Sequence, residues 1–344
     1  MARIANIATA VPKYRFSQAD AYQQAQIIFA KQGFDISRFS SAFLNTQIEH
    51  RHSVVPMEWY LESHNWTDRN RLYIDEAVTL LQQVAVNSLD GSGFALDDVT
   101  DVLTVSTTGI ATPSLEAMLM DRLRFKSNVR RTPIFGLGCA GGLMGLNRAQ
   151  QIAAADDNNV VLLLVVELCS LNFMRQEISK QNIIATALFA DGAAGVVLSN
   201  KANGPKIVKS VEHRWPDSLS VMGWDVTDNG LEVVFSRSIP DLVKKDFRFV
   251  LENFFEKQKI NRQSIQYFLS HPGGAKVMDE LEQLFELPQL SMHHSRAVLR
   301  DCGNMSAPTV LFVLKRAMDE EMRGRALLTT FGPGFSAVIT LLEA

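Results

Sequence analysis

The chain has 344 residues, enough for one large or two modest domains with a substantial core, and nearly half of them are hydrophobic. Its 34 basic and 37 acidic side chains leave a net charge of -3, which argues against a nucleic-acid role. Cys139, Cys169 and Cys302 are odd in number and widely spaced, so no disulfide framework is expected, and residues 1–4 open no secretory signal; with no apolar run of bilayer length, this predicts a cytoplasmic protein without an integral membrane segment.

Arg3–Ala10 reads as a first strand, and Ser17–Lys31 as a helix with Ser17 in position to cap it. From Gly33 to Trp66 the pattern weakens to a helical excursion and a surface loop that holds His50, Arg51 and His52. Thr67–Ser88 is a strong helix, with Tyr73, Ala77, Leu80, Leu81 and Val84 on one face and Thr67 or Asn70 as its cap. Val99–Thr107 is a strand, Pro113-Ser114-Leu115 opens a helix to about Leu123, and Thr132–Leu137 is a strand that delivers Cys139 to a helix ending near Ala155. Val160–Leu168 is an almost uninterrupted aliphatic strand, as in a sheet covered on both faces. Within Ala187–Leu198, Phe189-Ala190-Asp191-Gly192-Ala193 is a turn feeding another strand. The turn-rich stretch Asn200–Pro205 divides the chain into residues 1–203 and 204–344.

The second half repeats the plan: strand Ile207–Glu212, hairpin Gly223–Ser236, helix Pro240–Gln258, strand Ile265–Ser270 ending at His271, and helix Gly273–Phe285. Val298–Asn304 is a connection, Ala307–Met322 a helix with Pro308 in its first turn, and Ala326–Thr330 a strand. The loop Gly332-Pro333-Gly334 and a strand Ser336–Leu342 close the chain. Alternating strands and helices imply a parallel-dominated α/β sheet, with active residues at the carboxyl ends of its strands.

Cys139, His271 and Asn304 all fall at junctions between a strand or connection and a helix. A lone Cys in a Gly-rich turn is commonly a packed, inert residue. At a helix N-terminus, however, unpaired N–H groups and the dipole favour the thiolate, and glycines let a substrate approach. A nearby imidazole can form a thiolate–imidazolium pair that attacks an acyl thioester, and Asn and His N–H groups can hold a developing oxyanion. Taken singly, His271 could equally be a turn residue and Asn304 a helix cap. His293 and His294, adjacent on one element, read as a solvated pair, so no metal site is expected, and Glu167 reads as a structural carboxylate satisfied by backbone N–H groups or a partner.

Five motifs occur in order: GLGCAGG around Cys139, ALFADGAA over Ala187–Ala194, HPGG from His271, GNMSAP over Gly303–Pro308, and FGPGF over Phe331–Phe335. Together they make the chain resemble the type III polyketide synthases, the chalcone-synthase-like branch of the thiolase superfamily, in its bacterial style. The resemblance spans nearly the whole chain. It implies a duplicated, five-layer αβαβα thiolase fold, a homodimer, and no metal or organic cofactor. It also implies that Cys139 accepts a starter acyl group from an acyl-CoA, while His271 and Asn304 hold malonyl-CoA as it decarboxylates. The enolate then attacks the bound acyl group, the cycle repeats, and cyclisation gives a product such as an alkylpyrone or alkylresorcinol.

The resemblance places Phe189 as a gate between CoA tunnel and cavity, and puts Val233 where plant members have a second gate phenylalanine. Thr107, Thr108, Asn172 and Ser306 fall on cavity-lining positions, and Gly332 and Pro333 on the family's glycine-rich loop. Arg38 matches a cation that grips CoA phosphates, whereas Ser41 and Asn45 replace others, so an acyl carrier protein is a second route for the starter. Thr330 stands where the family loop has its first glycine. The rival readings are a ketoacyl synthase III-like enzyme that stops after one condensation, a Cys-dependent hydrolase or acyltransferase, and a non-catalytic acyl-binding paralogue.

Overall fold

The computed structural model describes residues 2–236 and 239–344, the side chain of Phe235 excepted. In chain order the elements are β1 (Arg3–Ala10), β2 (Tyr14–Ser17), α1 (Gln18–Ala30), α2 (Ser40–Leu44), β3 (His50–Ser53), α3 (Trp66–Leu89), β4 (Asp101–Val105), α4 (Leu115–Leu123), β5 (Arg130–Ile134), α5 (Gly141–Ala155), β6 (Val160–Leu168), α6 (Lys180–Leu188), β7 (Asp191–Ser199) and β8 (Lys206–Arg214). There follow β9 (Met222–Thr227), β10 (Gly230–Phe235), α7 (Ile239–Leu242), α8 (Arg248–Gln258), β11 (Ile265–Ser270), α9 (Ala275–Leu284), α10 (His293–Cys302), α11 (Thr309–Asp319), β12 (Arg325–Gly332) and β13 (Ser336–Glu343).

Nine strands form one sheet in the order β11-β12-β13-β8-β1-β7-β6-β4-β5. Its two halves meet at a narrow seam, where β1 and β8 share the single residue pair Arg3↔Lys206. Aliphatic alternation then builds five layers. In β6, Val161, Leu163 and Val165 face a central core made with α5 and α11, while Val160, Leu162, Leu164 and Val166 face α3 and α4 on the other side. In β13, Val338 and Leu342 face the same central core, while Ile339 and Leu341 face α8 and α9. The layering is therefore helix, sheet, helix pair, sheet, helix, the thiolase-like arrangement that the motifs imply. Each fully buried Leu or Val in these layers contributes about 1.5–3 kcal/mol. α5 and α11 lie side by side in the middle. Gly142 permits this closeness, because a Cβ there would lie 2.2 Å from the Ala307 carbonyl oxygen.

Several expectations change. The sheet is mixed rather than parallel-dominated: β4 runs parallel to β5 and β6, and β11 to β12, but the other pairs are antiparallel. The short Gly-Pro-Gly loop makes β12 and β13 a hairpin, which forces antiparallel pairing. Val298–Asn304 is not a connection. It belongs mostly to α10, whose polar opening, His293-His294-Ser295-Arg296, hides a face carrying buried Ala297, Val298 and Leu299. α6 is a helix capped by Ser179, and was legible only as the start of a turn at Ala187. Asn65, rather than Thr67 or Asn70, caps α3 by accepting the Asp68 N–H. His50, Arg51 and His52 form β3, paired with β2, instead of a surface loop.

Candidate active site

Cys139 lies in a 3-10 turn, Gly138–Ala140, that runs directly into α5. Gly138 has φ +47°, and a Cβ there would sit 2.7 Å from Pro333, so the turn admits only glycine. The Gly138 N–H donates to Thr107 Oγ1 at 3.1 Å, and Thr330 Oγ1 donates to the Cys139 carbonyl at 2.8 Å. Gly332 packs on Ala140. The nucleophile's turn is thus clamped from the end of β4 in one half and from β12 in the other. Gly332 and Pro333 buttress this turn, and Thr330, the departure from the family loop, supplies a tether that glycine could not.

The Cys139 thiol donates to Ser306 Oγ at 3.5 Å. Ser306 adopts a left-handed backbone, φ 58°, and its N–H donates to Asn304 Oδ1 at 2.8 Å. That bond fixes the amide, so Nδ2 points to the Gly273 carbonyl at 3.4 Å. Gly273 in turn lies against the His271 ring. One unbroken series of contacts therefore joins Cys139, Ser306, Asn304 and His271. The Asn304 main chain is held as firmly: its N–H donates to the Leu188 carbonyl at 3.0 Å, and its carbonyl accepts the Ala190 N–H at 2.9 Å. These bonds place Phe189 beside Asn304.

Electrostatics revise one expectation. Burial pushes the Cys139 thiol up to about 12 and outweighs the helix N-terminus, so the resting group is a thiol. Burial pushes His271 down to about 3, so its imidazole is neutral, and neither ring nitrogen has a hydrogen-bond partner among the described residues. Both shifts run against a thiolate–imidazolium pair, and the thiol hydrogen bond goes to Ser306 rather than to His271.

Glu167 is structural, as expected: the Thr107 and Thr108 N–H groups each donate to its Oε2 at 3.0 Å, and the Thr108 hydroxyl donates at 2.8 Å. Burial still raises its carboxyl to about 7. Thr107 and Thr108 spend their polar groups on Gly138, Glu167 and Leu168, and neither borders the apolar pocket beside Phe189. Asn172 and Val233 do border it, together with Phe189. This pocket holds about 710 Å³ of space between protein atoms, its mouth included, and its apolar lining includes Ile28, Met57, Phe173 and Trp224. Trp224 pairs in register with Val233 across β9 and β10, so both side chains face the same way. Its ring lies 6.2 Å from that of Phe189 and refills part of the space that valine leaves open.

Two contributors were not foreseen in these places. Trp224 gave no sequence signal beyond a hairpin aromatic. Arg51 is only 5% exposed, and its Nη1 donates to the Thr186 and Phe189 carbonyls, which fixes the gate segment from behind. Arg38 is exposed, with its guanidinium over the Phe34 and Phe39 rings, and does not line the pocket.

With this geometry in hand, the relationships of the chain are direct. Residues 42–202 match the family of chalcone and stilbene synthases, N-terminal domain, and residues 206–342 match the corresponding C-terminal domain. The chain is similar to a putative chalcone synthase of Bacillus subtilis, 38% identical over all of this chain and 99% of that one. It is also similar to the phloroglucinol synthase of Pseudomonas fluorescens, 32% identical over 87% of each chain. In structure it matches 1,3,6,8-tetrahydroxynaphthalene synthase of Streptomyces coelicolor, a bacterial type III polyketide synthase, with a TM-score of 0.93, 26% identity and 99% coverage of both chains. No helix among the described residues is long and apolar enough to cross a membrane. A Cys139 turn clamped from both halves, with Ser306 and Asn304 beside it, and full-length similarity lead to one statement: the chain belongs to the chalcone and stilbene synthase family and is a type III polyketide synthase.

Proposed function

We propose that this synthase extends an aliphatic acyl starter, delivered as its CoA thioester, with successive malonyl units and cyclises the chain to an alkylpyrone or alkylresorcinol. The observation that carries this reading is the apolar pocket that shares Phe189 with the Cys139 centre. An alkyl chain buried there gains about 0.8 kcal/mol per methylene, whereas a polar starter gains little.

In the first step the Cys139 sulfur attacks the thioester carbonyl and its proton passes to a free nitrogen of His271. CoA leaves as a thiolate and recovers that proton. Malonyl-CoA then loses carbon dioxide, and the electron pair of the broken C–C bond becomes an enolate. Its oxygen is held by Asn304 Nδ2–H and the His271 N–H. The enolate carbon attacks the acyl group on Cys139, the new oxyanion faces the Cys139 N–H, and the sulfur departs. Thr107, Thr330 and Ser306 position the turn, Gly332 and Pro333 support it, and Asn172 and Val233 shape the cavity. The cycle runs on thioesters alone, with no metal or organic cofactor.

Arg38 meets the CoA phosphates in this reading, and an acyl carrier protein is the second donor. The enzyme works in the cytoplasm as a homodimer. Supporting the dimer, β5 pairs only with β4 among the described residues, its free edge is exposed, and Phe135 just beyond it is 58% exposed.

The test is mass spectrometry of products from malonyl-CoA with short, long and aromatic acyl-CoA starters, and with an acyl carrier protein loaded with the same acyl groups. Pyrone or resorcinol masses spaced by two carbons, strongest with long alkyl starters, are expected. A single β-keto product would reassign the chain to one-step condensation, and free acid alone to hydrolysis. His271→Ala and Asn304→Ala are expected to lose malonyl decarboxylation by about 10²–10³-fold while staying folded. Full activity in both would remove those roles.

A further inference from the structure

The two helices that flank the Asn304 turn, α10 and α11, form an antiparallel pair. Their turn end, residues 303–308, carries Asn304 and Ser306. Their open end carries His293 and His294, the first two residues of α10, and Glu320, which caps α11. The sequence expectation of a solvated histidine pair fails here. His294 is 4% exposed, and its Nδ1 has no hydrogen-bond partner. That nitrogen lies 3.9 Å from Glu320 Oε1. The two imidazole rings lie 4.0 Å apart, and one ligand atom from each of the three side chains lies within 4.8 Å of the other two.

We propose that His293, His294 and Glu320 bind one divalent transition-metal ion of the zinc, cobalt or nickel class, which clips the open end of the α10–α11 pair. Two imidazoles and one carboxylate suit these borderline ions rather than calcium or magnesium, which prefer all-oxygen shells. The tautomer is already set at His293. Its Nδ1 donates to the Ser291 carbonyl at 3.1 Å, which leaves the Nε2 lone pair free, as in histidine ligands oriented by a backbone carbonyl. Metal–nitrogen bonds of about 2.0–2.1 Å require the donors to close in. The exposed Glu320, whose Oε1 Arg316 now holds at 3.3 Å, turns toward the two rings to ligate. The ion takes the place of Arg316 against the carboxylate. Tyr267, from β11, packs on the other side of His294 and brings no charge. Three protein ligands leave at least one position for water, so the site is a clip of moderate affinity.

The experiment uses the full-length protein stripped with chelator, titrated with Co²⁺ by visible absorption and with Zn²⁺ by calorimetry and thermal melting. One equivalent is expected to bind, with a nitrogen and oxygen spectrum and a rise in melting temperature of a few degrees. His293→Ala and Glu320→Gln, both at exposed positions, are expected to weaken binding at least about tenfold. Cys302→Ser is expected to bind like the wild type. A thiolate charge-transfer band, undiminished binding in His293→Ala and Glu320→Gln, or no binding by the wild type would each overturn the proposal. Polyketide formation by the stripped protein is read in parallel and reports on the condensing activity alone.

Discussion

The turn that carries Cys139 and the β9–β10 hairpin that walls the pocket are built on opposite principles. The turn is buried, hydrogen-bonded from the end of β4 and from β12, and so close to Pro333 that one methyl group at Gly138 has no room. Among the described residues the hairpin strands pair only with each other, and Val226 is 79% exposed. The hairpin is held to the body by the Arg69 guanidinium on the Asn229 carbonyl and by Gly230 packed on the Trp66 ring. The Cys139 turn is thus anchored in the core, while Val233 and Trp224, which border the pocket, sit on a hairpin outside the main sheet. Changes in the first region should cost activity or fold; changes in the second should alter selectivity.

Four substitutions break or sharpen that contrast. Cys139→Ala should abolish product formation, by about 10³-fold or more, with the fold retained, as read by product mass spectrometry beside a denaturation curve. Gly142→Ala should destabilise the protein by about 3 kcal/mol, because its Cβ would collide with the Ala307 carbonyl; the denaturant midpoint should fall at constant slope.

Glu167→Gln should act through pH. Burial raises the Glu167 carboxyl from 4.5 to about 7, so the folded state holds a proton that the unfolded state releases. The wild type therefore loses stability as pH rises from about 4.5 to 7, by up to roughly 3 kcal/mol, and is unpenalised below that window. Gln can accept the same three hydrogen bonds. The difference in stability between variant and wild type should grow in the variant's favour across this window and then level off. His271, lowered to about 3, has the opposite slope between about 3 and 6.5, but it is common to both proteins and cancels in the difference. A difference that stays flat with pH would show that Glu167 is ionised throughout. Trp224→Ala should have the smallest effect on stability while shifting the ratio of kcat/KM for long over short starters upward by about tenfold. An unchanged ratio would remove the hairpin from substrate selection.

The parts legible in the sequence are those governed by strong local signals. The run Val160–Leu168 announced a strand covered on both faces because each side faces a separate core. Glycine-rich junctions and ordered motifs mark Cys139, His271 and Asn304 in the sequence, and the structure joins Cys139 to Asn304 through Ser306. What escaped depends on contacts across the chain. Arg51 looked like a surface residue because its partners, the Thr186 and Phe189 carbonyls, are more than 130 residues away. At Cys139 the helix terminus is a local feature that favours the thiolate, while desolvation, which belongs to the assembled core, pushes the thiol the other way. α10 was missed because two histidines, a serine and an arginine open a helix whose apolar face becomes continuous only later. The sign of strand pairing, fixed by loop geometry and by strands distant in sequence, was likewise not a local property.

The seam between the two sheet halves bears on how the molecule is made. β1 leaves the ribosome long before its neighbours in the sheet, since Arg3 pairs with Ser199 on one side and Lys206 on the other. At about 5–20 residues per second, the nascent chain carries its opening strand for roughly 10–40 s before either partner exists. An apolar segment exposed that long is a substrate for chaperones and a template for mispairing. Synthesis rate and chaperone supply should therefore govern the yield of this enzyme more than its final stability does.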